Sequence, residues 1–296
     1  LNDFFKGLMK SLSEDKNGTL RLANSVWFTT DDRFTVNRDF LQTNADYYGA
    51  QAYCEPFDDG TVGKINSWVN ENTDGMIDRI ADVITDDCVM YLINATAFDA
   101  EWESPYNDIA IRDGTFTNYA KQKETVKFMN SEEYGYIQDG SRAEGFVKPY
   151  AGGKYAFAAL LPSEGTDVYA YAASLTGEKI LSQLGGVKNE RTITSTPKFS
   201  FDYDVSLKKT LSDLGLKDVF DISLADLDGI GSGAGGEKLC VSDVKHKTFI
   251  SLDERGTRAG AVTAVVVYGA TAAPEQPHRV ILDRPFVFFI YDCSTN

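Results

Sequence analysis

The chain has 296 residues, enough to bury a large hydrophobic core, and none of its stretches has the composition of a linker. Its formal net charge of −15 argues against a nucleic acid or an anionic membrane as partner, because both are negatively charged. The sequence contains no signal peptide and no apolar run long enough to cross a bilayer. We interpret the acidic residues as a solvated surface.

The first third of the chain predicts helices that alternate with strands. Apolar spacing predicts helices at residues 1–12, 40–48 and 62–69 and strands at residues 20–29 and 50–57. Residues 88–98 form a nearly continuous apolar run, which predicts a strand that is buried on both faces. Asn94 interrupts this run and would need a hydrogen-bond partner there.

The rest of the chain predicts mostly strands with a few short helices. Strands are expected at residues 146–150, 155–162, 192–203, 247–252 and 280–290, and helices at residues 168–175, 180–184 and 207–214. The first two of these strands frame Ala151-Gly152-Gly153, which predicts a hairpin turn. The sequence contains no internal repeat and no low-complexity segment.

A long segment separates the last two predicted strands. It runs from residue 256 to residue 279, too long for a hairpin turn, and residues 261–268 are almost all Val and Ala without charge. Such a run has high β-propensity, and outside a sheet it would tend to aggregate. We therefore predict that this segment enters a sheet at a later stage.

The start of that segment has the pattern of a strand that is buried on one face. Thr257, Ala259 and Ala261 are alternate residues, so they would share one face, and all three are small. The opposite face would carry Arg258 and could face outward. Gly256 would act as the hinge of the segment, because glycine tolerates unusual backbone angles.

Three motifs resemble the serpin family of serine protease inhibitors. The sequence Glu-Arg-Gly-Thr-Arg-Ala-Gly-Ala that starts at Glu254 resembles the hinge of the reactive loop in inhibitory members. The sequence Asp-Arg-Pro-Phe that ends at Phe286 resembles the strand that follows the loop. The sequence Asn-Ala-Thr-Ala-Phe that ends at Phe98, followed by Trp102, resembles the central strand and its closing tryptophan. Because the motifs occur in family order and at family spacing, the resemblance covers essentially the whole chain.

This resemblance implies a serpin fold of the α+β class. Such a fold has a large, mostly antiparallel or mixed central sheet, smaller sheets, surrounding helices and an exposed reactive loop, here at about residues 254–279. One domain would cover residues 1–296. Family members also have several helices and a strand before the counterpart of Leu1, and a last strand after that of Asn296. We therefore expect the chain to be a fragment of a longer serpin.

The resemblance also implies suicide inhibition. A serine protease, or alternatively a cysteine protease, would cleave the loop, and the loop would enter the central sheet before the acyl-enzyme is hydrolysed, which leaves a covalent complex. Family spacing from Gly256 places the cleaved bond at Ala270-Thr271, while the length of the loop leaves any bond from Tyr268 to Ala273 open. A small residue there favours an elastase-like or subtilisin-like target. The inhibitor would be a monomer able to polymerise through its loop and sheet, and an extracellular or cell-surface location is expected.

The family pattern also implies a region where the sheet opens. Lys198, Trp102 and Glu254 would lie together at the point where the loop enters, with Lys198 and Glu254 as an ion pair. Asn94 and His246 would lie on neighbouring central strands and share a hydrogen bond that keeps the sheet closed.

Enzymatic activity is not expected from this sequence. The chain has two histidines, His246 and His278, and no Gly-x-Ser-x-Gly motif. It also lacks a metal-binding motif, a phosphate-binding glycine loop and a dinucleotide fingerprint, so no catalytic residue, metal or cofactor is predicted. The cysteines lack paired spacing and are predicted to be separate, reduced thiols, most of them on strands; they are Cys54, Cys88, Cys240 and Cys293.

A non-inhibitory serpin, acting as a chaperone, carrier or storage protein, is the alternative interpretation. Such members often carry charged or bulky residues at the inward positions of the hinge. The small side chains of Thr257, Ala259 and Ala261 therefore favour inhibition.

Overall fold

The computed structural model describes residues 1–13, 20–257 and 276–295. Its contacts divide the chain into two compact units. The first unit consists of residues 1–98 and 201–250, and the second of residues 99–200 and 251–296. The expectation of one domain over the whole chain is not tested by this division and stays a prediction.

The helices occur where the apolar spacing predicts them. They are α1 (Asn2–Ser13), α2 (Arg38–Tyr48), α3 (Asp59–Asn72), α4 (Val168–Ala173), α5 (Gly177–Gly185) and α6 (Lys208–Asp213). Four of them begin at a residue whose side chain accepts a hydrogen bond from a backbone N–H of the first turn: Asn37, Asp58, Asp167 and Thr176. Gly49 ends α2 in the left-handed conformation with a φ of 60°.

The strands account for most of the remaining regular structure. They are β1 (Leu20–Thr29), β2 (Phe34–Val36), β3 (Gln51–Glu55), β4 (Met90–Phe98), β5 (Ala100–Glu101), β6 (Ile111–Thr117), β7 (Lys123–Glu133), β8 (Tyr136–Asp139), β9 (Ala143–Pro149), β10 (Tyr155–Pro162), β11 (Thr192–Pro197), β12 (Phe199–Ser206), β13 (Gly231–Gly233), β14 (Lys245–Leu252), β15 (Gly256–Thr257), β16 (His278–Ile281) and β17 (Val287–Asp292). Helices combined with antiparallel and mixed sheets confirm the predicted α+β class.

The first unit has its core between α3 and a sheet of three strands in the order β3-β1-β4. The strand β1 is antiparallel to β4 and parallel to β3. On α3, Ile65, Trp68 and Val69 share one face and pack against Ile93 and Ala95 of β4. The strands β12 and β14 are neighbours in another sheet, and each of them has residues in both units.

The strand β4 is not buried on both faces, so that prediction is wrong. Its residues alternate: Ile93 and Ala95 are buried against the core, whereas Leu92 and Asn94 are exposed. The apolar run suggested burial on both faces because apolar side chains occur on both faces of this strand, although one face is exposed. An exposed Asn94 has no need of a buried partner.

The second unit contains two sheets of four strands each, in the orders β17-β10-β9-β8 and β16-β11-β7-β6. Every residue of β10 is buried. The strands β9 and β10 are antiparallel, and the turn between them contains Gly152 and Gly153 with φ values of 85° and 68°, so the predicted hairpin is confirmed. The strand β16 lies parallel to β11.

The cysteines are all free thiols in this structure. The prediction of separate thiols is therefore confirmed. Their predicted placement on strands is wrong for three of them, because only Cys54 lies within a strand. Among the described residues, no helix combines the length and the apolar character needed to cross a membrane.

Truncation of a side chain in the core of the first unit should destabilise the protein. Ile65 is 0 % exposed, so Ile65→Ala removes buried methyl groups and leaves a cavity, at a cost of about 2–5 kcal/mol in the free energy of unfolding. Val83 is 69 % exposed, and Val83→Ala should change that free energy by less than about 0.5 kcal/mol. Urea denaturation measures both. Equal losses in the two variants would contradict the assignment of this core.

Candidate functional site

The start of the predicted loop is already a strand in this structure. The two residues of β15 lie between β14 and β5, because Thr257 pairs with Leu252 on one side and with Ala100 on the other. Both pairings are antiparallel. A segment that leaves β14 thus turns back and enters the sheet beside it.

A tight turn with its own side-chain cap reverses the chain between β14 and β15. The backbone N–H of Asp253 donates to the carbonyl oxygen of Gly256 over 2.9 Å. The carboxylate Oδ1 of Asp253 accepts from the backbone N–H of Arg255 at 2.8 Å and from that of Gly256 at 3.2 Å. The side chain of Asp253 therefore stabilises the turn that leads into β15.

Gly256 is required at this position, but not for the predicted reason. Its φ is not among the positive values found in the described residues, so unusual backbone angles play no part. A Cβ atom on Gly256 would lie 1.9 Å from the carbonyl oxygen of Ala100 and 2.8 Å from the Cα of Glu101. Glycine is needed because the two backbones approach too closely for any side chain.

Thr257 points into the protein, as the predicted inward face requires. The residue is 2 % exposed, and its hydroxyl shares a hydrogen bond of 2.6 Å with the hydroxyl of Tyr150. Burial raises the pKa of Tyr150, although the hydrogen bond to Thr257 acts in the opposite direction. The phenol is therefore neutral at physiological pH, and either hydroxyl can donate.

Trp102 and Tyr106 donate hydrogen bonds to the backbone carbonyls of the turn. The carbonyl oxygen of Asp253 accepts a hydrogen bond of 2.9 Å from the indole Nε1–H of Trp102. The carbonyl oxygen of Arg255 accepts one of 2.8 Å from the backbone N–H of Trp102. The carbonyl oxygen of Glu254 accepts from the backbone N–H of Tyr106 at 2.9 Å. Three consecutive carbonyls before β15 are thus fixed by one short segment.

The predicted ion pair between Lys198 and Glu254 is confirmed. The side chains are 29 % and 25 % exposed, respectively, so the pair is partly screened by water. Burial acts to raise the pKa of Glu254, but the hydrogen bond from Lys198 together with the nearby charges outweighs it, so the pKa is lowered. Glu254 is therefore held as a carboxylate next to the turn.

Tyr150 and Tyr106 belong to this site although sequence reasoning did not single them out. The rings of Trp102 and Tyr150 are stacked with centroids 4.5 Å apart, and those of Trp102 and Tyr106 meet edge to face at 6.2 Å. Only the position of Tyr150 at the end of a buried strand could have drawn attention to it. Nothing in the sequence near Tyr106 signals a contact with residue 254.

The predicted hydrogen bond between Asn94 and His246 is wrong. Asn94 lies opposite Asn24 in the pairing of β4 with β1, and its amide donates to the Oδ1 of Asn24 over 2.8 Å. Its own Oδ1 accepts from the hydroxyl of Thr96 at 3.2 Å. His246 is exposed, and its ring makes no hydrogen bond to the other residues that the structure describes. The order of the strands makes Asn24 the cross-strand neighbour of Asn94.

Seven of the loop residues named in the predictions lie outside the described residues: Arg258, Ala259, Ala261, Tyr268, Ala270, Thr271 and Ala273. Their roles and the position of the reactive bond stay predictions. Within the described ranges, no group of three or more His, Cys, Asp or Glu side chains is arranged to hold a metal ion.

Comparison with known proteins gives the family of this chain. The family model described as "Serpin (serine protease inhibitor)" matches residues 1–296. Serpin B12 of Mus musculus is 30% identical over 301 residues, which cover 97% of this chain and 69% of that protein. Leukocyte elastase inhibitor A of Rattus norvegicus is 29% identical over 286 residues, which cover 92% of this chain and 73% of that protein. The solved structure of tengpin, a thermophilic serpin, in its native state has 44% identity and a TM-score of 0.91, covering 100% of this chain and 75% of that one.

The chain therefore belongs to the serpin family, which is described as a family of serine protease inhibitors and not of enzymes, and one of the relatives above is named as an inhibitor. Both its fold class and the resemblance found in its motifs are confirmed. The residues that resemble the hinge of the reactive loop lie in the turn and strand described above, and their role as a hinge stays a prediction.

The ion pair of Glu254 should stabilise the protein only above the range in which this carboxylate titrates. Because the folded-state pKa lies below its ordinary value of 4.5, the contribution is present above that pH and is lost as the pH falls through the folded-state value. Glu254→Gln should lower the melting temperature near pH 7 by at most about 4 °C, since so exposed a pair contributes about 0–1 kcal/mol.

The effect of the same substitution should be smaller at an acidic pH below 4.5 than near pH 7, because the carboxylate becomes protonated there. Glu164→Gln, at an exposed loop position, is the control and should leave the melting temperature unchanged at both pH values. Thermal unfolding followed by circular dichroism measures these shifts. If the difference in melting temperature between the parent and Glu254→Gln grows at low pH, the assigned direction of the pH dependence is wrong.

Proposed function

We propose that this protein inhibits serine proteases as a suicide substrate. The serine of the protease attacks the carbonyl carbon of Ala270, the amine of Thr271 leaves, and an acyl-enzyme forms. The freed loop then extends β15 further along β14 before water can hydrolyse the ester. The protease stays covalently attached to the loop.

One observation carries this proposal: β15 already occupies the position between β14 and β5 with Thr257 buried. Further insertion needs only that the loop continue a strand that has begun. The following residues are small and β-branched on the face that Thr257 leads, which suits burial. About a dozen new ladder hydrogen bonds at about 1 kcal/mol each would supply on the order of 10 kcal/mol before ordering costs.

The target is proposed to be an elastase-like or subtilisin-like protease. Ala270 offers a small side chain to the specificity pocket of such enzymes, whereas a trypsin-like enzyme prefers a basic one. The similarity to leukocyte elastase inhibitor A, named for the enzyme it inhibits, supports the same class. Any bond from Tyr268 to Ala273 would serve the mechanism.

The test is the formation of a covalent complex that survives a denaturing gel. The protein is incubated with elastase-like, subtilisin-like and trypsin-like serine proteases and with a papain-like cysteine protease. We expect a complex with the first two, and mass spectrometry of the released peptide identifies the cleaved bond. Cleavage without a complex in every case would favour the non-inhibitory interpretation as a chaperone, carrier or storage protein.

Substitution of the buried hinge residue should convert the inhibitor into a substrate. Thr257→Arg places an unpaired charge where the side chain is 2 % exposed, and its burial would cost several kcal/mol. Insertion should fail while cleavage continues, so the complex band disappears and the cleaved inhibitor remains. Thr166→Arg makes the same substitution at an exposed position outside the loop and should keep the complex. Equal complex yields from Thr257→Arg and the parent would refute the insertion step.

A further inference from the structure

A buried ion pair lies directly beneath the side chains that hold the hinge. The ammonium group of Lys148 on β9 is 2.6 Å from the Oε1 of Glu133 on β7, and the two side chains are 2 % and 9 % exposed. The same Oε1 accepts from the hydroxyl of Ser131 at 2.6 Å. That hydroxyl also shares a hydrogen bond of 2.9 Å with Thr194 on β11. The carboxylate is thus anchored to two strands of the sheet.

Stability alone does not explain such a pair. Two charges taken out of water lose their hydration, and apolar residues of similar volume usually stabilise a core as well or better. Lys148 occupies a strand whose neighbouring residues, Phe146, Val147 and Tyr150, are buried and apolar or aromatic. A charged residue at this position therefore calls for a role beyond packing.

The position of the ammonium group indicates that role. Its Nζ lies 4.4 Å from the ring centroid of Tyr106 and 5.5 Å from that of Trp102. A cation over an aromatic face is attracted to it, and more strongly when water is excluded. Lys148 therefore draws together the two residues whose N–H groups hold the carbonyls of the hinge turn.

A second contact path leads from the same rings to the inserted residue. Trp102 stacks on Tyr150 with an interplanar angle of 11°, and the hydroxyl of Tyr150 bonds to that of Thr257. A shift of Trp102 would move its indole N–H away from Asp253 and displace the Tyr150 ring together with it. The carbonyls before β15 and the side chain within β15 are thus positioned through the same indole.

We propose that Lys148 is a positioning residue for loop insertion: charge-balanced by Glu133, it holds Trp102 and Tyr106 in the arrangement that keeps β15 in the sheet. The hinge strand then stands ready as the start of the inserted strand when the loop is cleaved. This inference rests on the proposed inhibitory function and names a device that sets the efficiency of that inhibition.

Three variants separate a positioning role from a contribution to stability alone. Lys148→Met removes the cation and leaves Glu133 buried without its partner, so both stability and hinge order should fall. The double variant Lys148→Met with Glu133→Gln removes both charges at similar volume, and it should recover most of the lost melting temperature. Lys148→Arg retains the cation. An exposed ion pair in the same unit supplies the control, Lys127→Met with Asp113→Asn.

The first measurement uses the uncleaved protein and does not depend on any protease. Hydrogen exchange of a peptide covering residues 252–257 should become roughly tenfold faster in the double variant, as expected for the loss of a desolvated cation–π contact. The fluorescence of Trp102, isolated by replacing the other two tryptophans with Phe, should shift to longer wavelength. Lys148→Arg and the control pair should match the parent in both readouts.

The second measurement is the outcome of protease attack. The ratio of cleaved free inhibitor to covalent complex should rise about threefold or more in the double variant, because a looser hinge begins insertion later. The proposal is overturned if a stable double variant shows the hydrogen exchange rate of the parent and the same ratio of cleaved inhibitor to complex. The ion pair would then be a structural element only. If the parent forms no complex with any protease, the proposed function fails, whereas the exchange measurement still decides the positioning role. If the double variant does not fold, the comparison is between Lys148→Arg and Lys148→Met. Equally fast hydrogen exchange of residues 252–257 in these two variants would also overturn the proposal.

Discussion

The close approach of two backbones at Gly256 is the constraint on which the turn between β14 and β15, the predicted hinge, depends. A Cβ atom there would lie 1.9 Å from the carbonyl oxygen of Ala100, so any other residue would push β15 out of the sheet. With glycine in place, the next residue is carried between β14 and β5, where Thr257 becomes buried.

Polar groups around this entry are arranged to hold a short strand that could not persist alone. A strand of two residues gains few hydrogen bonds of its own, so its order comes from its surroundings. The turn is capped by Asp253, its carbonyls are held by Trp102 and Tyr106, and Glu254 is paired with Lys198 outside it. Many modest contacts thus keep this short strand in the sheet, and in the proposed mechanism the cleaved loop would extend it.

Much of the fold and part of the site could be predicted from sequence, whereas a contact between distant strands could not. Local elements such as α2 with its terminal glycine and the hairpin of β9 and β10 follow from spacing and turn residues, which are properties of neighbouring positions. The proposed partnership of Asn94 with His246 failed because it required knowing which strand lies next to β4. That neighbour is β1, and it places Asn24 opposite Asn94.

The sequence by itself determined the helices, the main strands, the serpin motifs and the inward orientation of Thr257. The resemblance to the family pattern was also enough to predict the ion pair between Lys198 and Glu254. Only the tertiary structure decided that Gly256 serves a close backbone contact and that Lys148 is buried with Glu133 beneath two aromatic rings. Periodicity reports which face of an element is apolar. It carries no information about which distant residue will lie opposite, because that depends on how strands assemble through contacts far apart in the chain.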